Sequence, residues 1–233
     1  MQELITWYQG LGQMIGGKDP LFVLLEYVGT FAAAVSGIRL ASKKHFDLFG
    51  AYVIGFVTAL GGGTVRDVML SVPPFWFAEP SYMICTFVAL LAVWIFGRHI
   101  ISEQITWFIF DTIGLSIFTV IGLEKALALN HPWWIALIMG TITGAAGGVM
   151  RDVLINEVPL IFRKEIYALA CMVGCIAFFL LNHFGIDRRI DAVVCVSVIF
   201  VVRAIAIRYH LGVPVLSGRR LFPSRHHRHG GER

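Results

Sequence analysis

Two short stretches hold most of the residues in this sequence that could do chemistry. "LGGGTVRDVML", from Leu60, sets Gly61, Gly62 and Gly63 just ahead of Arg66 and Asp67, and "GAAGGVMRDVL", from Gly144, sets Gly147 and Gly148 ahead of Arg151 and Asp152. Thr58 and Thr143 stand about one turn earlier, and the acids Glu26 and Asp111 open the apolar runs upstream. Glycines cost helix stability, about 1 kcal/mol each relative to alanine, so a doubled or tripled run reads as a break in the second and fifth apolar helices. A break in hydrocarbon is tolerated only where the freed backbone faces protein or a water-filled cavity. Adjacent Arg and Asp side chains leave a helix about 100° apart, which argues for partners elsewhere. The candidates are Arg66 with Asp152 and Arg151 with Asp67, or the acids Glu26 and Asp111. Charges so placed either line a path or clamp helices together, and the residue types alone leave both open. Glu26 and Asp111, near the starts of their helices, lean toward a structural or capping role. The threonine hydroxyls either bond back to their own helix, the commoner outcome, or face an ion.

These residues sit in a chain of 233 residues that is 57% hydrophobic and only 15% charged. A soluble domain is about one quarter charged, so the composition is that of a membrane protein. A spanning helix needs about 20 mostly apolar residues. Runs of that kind cover 21–40, 48–72, 81–97, 105–123, 133–156, 166–182 and 190–207. The expected fold class is an all-α membrane protein with seven transmembrane helices.

The two motif stretches belong to a repeat. "GFVTALGGGTVRDVMLSVPPFWF" from Gly55 aligns without a gap on "GTITGAAGGVMRDVLINEVPLIF" from Gly140, always 85 positions apart. The same spacing relates "EYVGTFAAAVSG" from Glu26 to "DTIGLSIFTVIG" from Asp111. Each repeat holds three helices, and an odd number of spans reverses direction, so the two repeats are expected to be inverted about an axis in the membrane plane. The expected organisation is an N-terminal segment (1–20), a first three-helix repeat (21–97), a second (105–182), a seventh helix (190–207) and a basic C-terminal tail (208–233). Inverted repeats with glycine interruptions at matching positions point to a central transport site.

Lys and Arg in the short loops favour an amino terminus outside and a carboxyl terminus in the cytoplasm, since Arg39, Lys43, Lys44, Arg98, Arg163, Lys164 and the tail fall on one side. Lys18, Lys125, Arg188 and Arg189 fall on the other, while Arg203 is expected to snorkel toward the inner interface. The first twenty residues lack the pattern of a removable signal, so the segment is expected to stay. The net charge of +4 comes largely from the tail, whose bland reading is contact with anionic lipid headgroups rather than nucleic acid. His226, His227 and His229 in it are given little weight as metal ligands. Cys85, Cys171, Cys175 and Cys195 lie in apolar runs and read as small buried hydrophobes, with no metal site. No zinc-protease histidine pair, phosphate loop or Ser-His-Asp set is legible, which argues against an enzyme.

"GGGTVRDVML" with Pro74, "GGVMRDVL" with Pro159 and Tyr167, and an acid-x-x-Gly opening in each repeat resemble the bacterial branch of the trimeric intracellular cation channel family, also described as a glycine-transporter-like membrane family. The resemblance covers roughly residues 21–207. It implies a homotrimer in the inner (plasma) membrane, a pore within each subunit, kinks at Gly61, Gly62 and Gly63 and at Gly147 and Gly148, and passage of monovalent cations, chiefly potassium. Ala146 stands where a third glycine of the second repeat would align, which implies a milder break there. No cofactor is implied beyond the permeant potassium ion. The alternative is a secondary transporter of a small zwitterion such as glycine, its carboxylate met by a half-helix amino terminus with Arg66 or Arg151 and its ammonium by Glu26 or Asp111.

Overall fold

The computed structural model describes residues 19–101, 104–163, 166–209 and 211–212. The N-terminal segment up to residue 18 and nearly all of the basic tail lie outside them. Seven α-helices are described: α1 (Pro20–Lys43), α2 (Leu48–Met69), α3 (Ser81–Ile101), α4 (Gln104–Ala128), α5 (Trp133–Leu154), α6 (Ala168–His183) and α7 (Arg188–Arg208). They coincide with the seven apolar runs to within a few residues. Five (α1, α2, α5, α7 and α4 from Trp107) are long and apolar enough to cross a membrane, and the apolar stretches of α3 and α6 are shorter. Large side chains such as Phe49, Trp94 and Leu180 are exposed on the outside of the bundle. A soluble protein does not present so much contiguous apolar surface, and lipid accounts for it.

Local sequence starts and stops these helices. Asp19 caps α1 by accepting a hydrogen bond from the Leu21 amide (3.1 Å), with Pro20 at the first helical position, and Asp47 caps α2 through the Gly50 amide (2.7 Å). Four helices end on a non-glycine residue in left-handed conformation: His45 after α1, Ser71 after α2, Asn130 after α4 and Asn156 after α5, with φ of 56–60°. Each is followed by a backbone amide that returns to the last helical turn, as Val72 does to the Asp67 carbonyl and Glu157 to the Asp152 carbonyl. His45 and Asn130, and Ser71 and Asn156, are repeat partners. The helices therefore stop on these turns, before Pro73, Pro74 and Pro159 are reached. Those prolines instead lead into short 3-10 turns, Phe75–Phe77 and Leu160–Phe162, again at repeat-related positions.

The packing follows the repeat. In the first, α1 packs on α2 and α3; in the second, α4 packs on α5 and α6. The halves join where α1 crosses α4 and α2 crosses α5. The glycine of each acid-x-x-Gly opening makes the first crossing: a Cβ on Gly29 would lie 2.9 Å from Ile117, and one on Gly114 would lie 3.1 Å from Ala33. Helix α7 lies mainly against α6 and α4 of the second repeat, and its first turn also reaches the start of α1, where Arg189 pairs with Asp19 at 2.7 Å.

Candidate ion pathway

The glycine motifs occupy the second crossing. A Cβ on Gly62 would lie 2.2 Å from the Thr143 carbonyl oxygen, and one on Gly147 would lie 2.2 Å from the Thr58 carbonyl oxygen. Helices α2 and α5 thus touch backbone to backbone at the pseudo-twofold axis, an approach that any side chain would prevent. Both run unbroken through their glycines. The expected break is corrected here to a close crossing, because glycine pairs suit either and the position of the partner helix decides between them. Thr58 and Thr143 donate their hydroxyl hydrogens back to the Ile54 and Met139 carbonyls, both at 2.6 Å, the commoner outcome for threonine in a helix. Gly61 faces Met150, Gly63 faces the Phe75 ring and Gly148 faces the Tyr167 hydroxyl.

On either side of this crossing lies a cage of buried charges, one near the membrane face where α1 begins (the proximal face) and one near the opposite, distal face. In the proximal cage the Asp67 carboxylate accepts from Arg66 Nε at 2.7 Å and Lys125 Nζ at 2.8 Å on one oxygen, and from the Phe75 amide at 2.9 Å on the other. Arg66 lies over the Phe75 ring, 5.8 Å from its centre. The Tyr82 hydroxyl donates to Glu26. Glu26, Thr30, Gly63, Arg66, Tyr82 and Thr143 are among the residues around a cavity of about 20 Å³, room for one water molecule or one bare ion.

The distal cage is built on the same plan and tied more heavily. Asp152 accepts from Arg151 Nε at 2.9 Å and from the Leu160 amide at 3.1 Å. Asp111 takes Arg151 at 2.6 Å on one oxygen and Arg203 of α7 at 2.9 Å on the other. Arg151 also donates to Ser36 of the first repeat at 2.8 Å. The Arg203 guanidinium lies between the rings of Tyr167 (4.6 Å) and Phe108 (5.1 Å). A cavity of about 800 Å³ opens beside it, with Arg39, Lys43, Lys44, Trp107, Asp152 and Arg203 among its walls. Lys44 and Arg163 hold Glu157 at its rim, and the Lys44 ammonium keeps that carboxyl below the usual range.

Several expectations are corrected. Adjacent Arg and Asp do pair, in both repeats: three methylenes carry the guanidinium far enough to curl Nε back around the helix. Arg66 with Asp152 and Arg151 with Asp67 are not among the ion pairs of the described residues, and of the alternative acids Asp111 takes Arg151 while Glu26 is hydrogen-bonded to Tyr82 instead. Asp111 is buried at the centre of a cage. Arg203 does not snorkel, for it is 2% exposed. Lys125 is no loop residue: α4 runs one turn past the apolar stretch, and its lysine reaches back across the repeat boundary to Asp67. Tyr82 was not singled out by the sequence, and Arg188, counted there only for its side of the membrane, pairs with Glu124 and pins the other end of α7 to α4. The signal that could have found Tyr82 is its repeat partner, Tyr167. Cys171, Cys175 and Cys195 are buried and free, as expected of small hydrophobes.

A family model described as glycine transporter matches residues 23–98 and again 108–183, one copy on each repeat. The inner membrane protein YadS of Escherichia coli K12 is 38% identical over 197 residues, covering 83% of this chain and 95% of its own length. A membrane protein of Vibrio cholerae is 37% identical over 201 residues, covering 84% of this chain and 83% of its own. The trimeric intracellular cation channel orthologue from Rhodobacter sphaeroides superimposes with a TM-score of 0.79 at 34% identity, over 83% of this chain and 100% of that one. The chain belongs to this family, the bacterial branch of the trimeric intracellular cation channels. A further channel, described as a structural basis for conductance in the family, gives a TM-score of 0.76 at 33% identity, over 84% of this chain and 97% of its own. The Caenorhabditis elegans member, at 13% identity and a TM-score of 0.56, shares the fold. The family's solved neighbours are channels and not enzymes.

Proposed function

We propose that this protein is a cation channel of the inner membrane, passing chiefly potassium through a pore within each subunit of a homotrimer, with the amino terminus outside and the carboxyl terminus cytoplasmic. The observation that carries the reading is the pair of cages and cavities on opposite sides of the α2–α5 crossing. Polar and charged groups in a bilayer are costly, and two inverted sets of them leading to one constriction mark a path for ions. The carboxylates of Glu26 and Asp67 on one side and of Asp152 on the other supply the field that draws a cation. The direct contact of α2 and α5 closes the path at its middle, which makes this a closed conformation. Conduction requires the two helices to part at Gly62 and Gly147. The carboxyl-terminal, basic side carries Arg39, Lys43, Lys44 and Arg163, which supports the orientation by the positive-inside rule.

A glycine carrier fits the geometry less well. Unbroken helices offer no half-helix amino terminus to a carboxylate, and Arg66 and Arg151 are already engaged by Asp67 and by Asp152 and Asp111. The proximal cavity of about 20 Å³ holds a water or a bare ion, whereas an amino acid is several times larger. Liposomes loaded with potassium chloride and bearing the purified protein test the two readings together. Potassium efflux at a rate proportional to the gradient, without glycine counterflow, is the expected result. Saturable glycine exchange with no potassium efflux would overturn it.

A further inference from the structure

Away from the two cages, α4, α6 and α7 meet at the proximal face around another pair of buried acids. Glu124, near the end of α4, is 5% exposed, and Asp191, in the first turn of α7, is fully buried. One Glu124 oxygen is held by Arg188, which stands three residues before Asp191 on α7. Residues three apart share a helix face, so Glu124 is docked on the face that carries both, and the Asp191 charge reaches it. One Asp191 oxygen accepts from the Asn182 side-chain amide of α6 at 3.5 Å. The other oxygen of each acid, Glu124 Oε1 and Asp191 Oδ1, is buried and receives no hydrogen bond from the described residues.

Two counts come out short here, and by the same amount. Two carboxylates face one guanidinium, which leaves one negative charge too many in a site out of water. The neighbouring cations are engaged elsewhere: Lys125 holds Asp67 at 2.8 Å, and Arg189 holds Asp19 at 2.7 Å. Asp19, at the start of α1, also draws on Arg188, while the buried Cys195 thiol, one turn along α7 and within reach of the Glu124 charge, supplies no positive charge. The hydrogen-bond count lacks a donor, since two orphaned acceptors are left, and leaving a buried acceptor unpaired is costly. A single proton closes both counts, because it cancels the excess charge and turns one carboxylate oxygen into a donor. A metal ion asks for more. A hard cation such as calcium takes about six to eight oxygens, and among the described residues no group of three or more His, Cys, Asp or Glu is placed to hold one. We infer that Glu124 and Asp191 hold one proton between them at neutral pH, and that this proton fastens the start of α7 to α4 and α6. It belongs to the pair and not to either residue. Its loss leaves an uncompensated charge that water reaches only if α7 moves off α4. Because α7 also carries Arg203 to Asp111, the proximal junction is a pH-sensitive fastening of the helix that braces the distal cage.

The test uses the full-length protein in nanodiscs. Difference infrared spectra at neutral pH should show a protonated-carboxyl band in the wild type that Asp191→Asn and Glu124→Gln both lack, since each variant removes the excess charge and brings its own amide donor. The second readout is the melting temperature. Above about pH 5 the unfolded chain has released this proton while the folded pair keeps it, so the wild-type melting temperature should fall as pH rises from about 6 to about 9, and both variants should lose that slope. A wild type without the band, or a slope that the variants keep, overturns the inference. Sodium or potassium chloride that raises the melting temperature of the wild type at fixed pH, but not that of Asp191→Asn, would put a metal ion in the proton's place and overturn it likewise. If one variant fails to fold, the other decides alone.

Discussion

The proximal and distal cages descend from one plan and have been finished differently. Each hangs an Asp from the end of a glycine-bearing helix, pairs it with the preceding Arg, and uses its second oxygen to hold the amide of a 3-10 turn. From there they diverge. Helix α7 gives the distal cage Arg203, and Asp111 is thereby fixed by two guanidinium groups. At the repeat-related position Glu26 has Tyr82 as its hydrogen-bond partner, and the proximal cage borrows a lysine instead of a buried arginine. The unpaired seventh helix thus supplies a buried arginine to one half of an inverted repeat and none to the cage of the other.

The largest expected effect tests that contrast directly. Asp111→Asn removes the carboxylate that holds buried Arg203 and one of the two that hold Arg151, and should cost about 3–5 kcal/mol, as breaking a buried ion pair does. Glu26→Gln at the matching position weakens one hydrogen bond and should cost about 1 kcal/mol. Melting curves of the two variants in detergent, measured side by side, check this, and equal losses would dissolve the contrast. Next come the glycines, where the halves should behave alike. Gly62→Ala and Gly147→Ala each drive a Cβ to 2.2 Å from a carbonyl oxygen, so each should lose about 1–3 kcal/mol or more by overpacking. Gly61→Ala meets only the movable end of Met150 at 2.8 Å and should be nearly silent in the same melts.

What the sequence showed and what it hid divide along the same line. The repeat was plain because residues as different as Gly62, Arg66, Asp67 and Pro74 recur together at one spacing, and seven helices followed from apolar runs of bilayer length. The cages were hidden where they depend on chain segments far apart. Arg203 looks like an interfacial arginine until α7 is seen to lie against α4 and carry it to Asp111. Lys125 looks like a loop lysine because hydropathy ends a span where charge begins, whereas the helix itself runs on to Ala128. Adjacent glycines read as a break because sequence cannot show that another backbone rests on them.

Two smaller effects sharpen the picture further. Arg203→Lys loses the stack between Tyr167 and Phe108 and should cost about 0.5–2 kcal/mol in chemical denaturation, whereas Lys125→Arg should leave stability close to that of the wild type. The smallest effect belongs to the surface link between the repeats, Lys44 and Arg163 with Glu157. Because Lys44 holds the folded Glu157 carboxyl below its ordinary value, its contribution is complete above about pH 4.3 and fades as pH falls through the lowered folded value. Glu157→Gln should lower the melting temperature slightly near neutral pH and leave it unchanged at acid pH where the wild-type carboxyl is protonated, which removes the acid-side slope, and the difference near neutral pH should shrink in high salt.

The claim at the centre of the account is that a cation path runs through each subunit across the α2–α5 crossing. Single-channel recording of the purified protein in a planar bilayer under a potassium gradient tests it most directly. Discrete current steps that reverse near the potassium equilibrium potential are the predicted result. Silence at every voltage, together with saturable glycine counterflow from the same preparation, would contradict it.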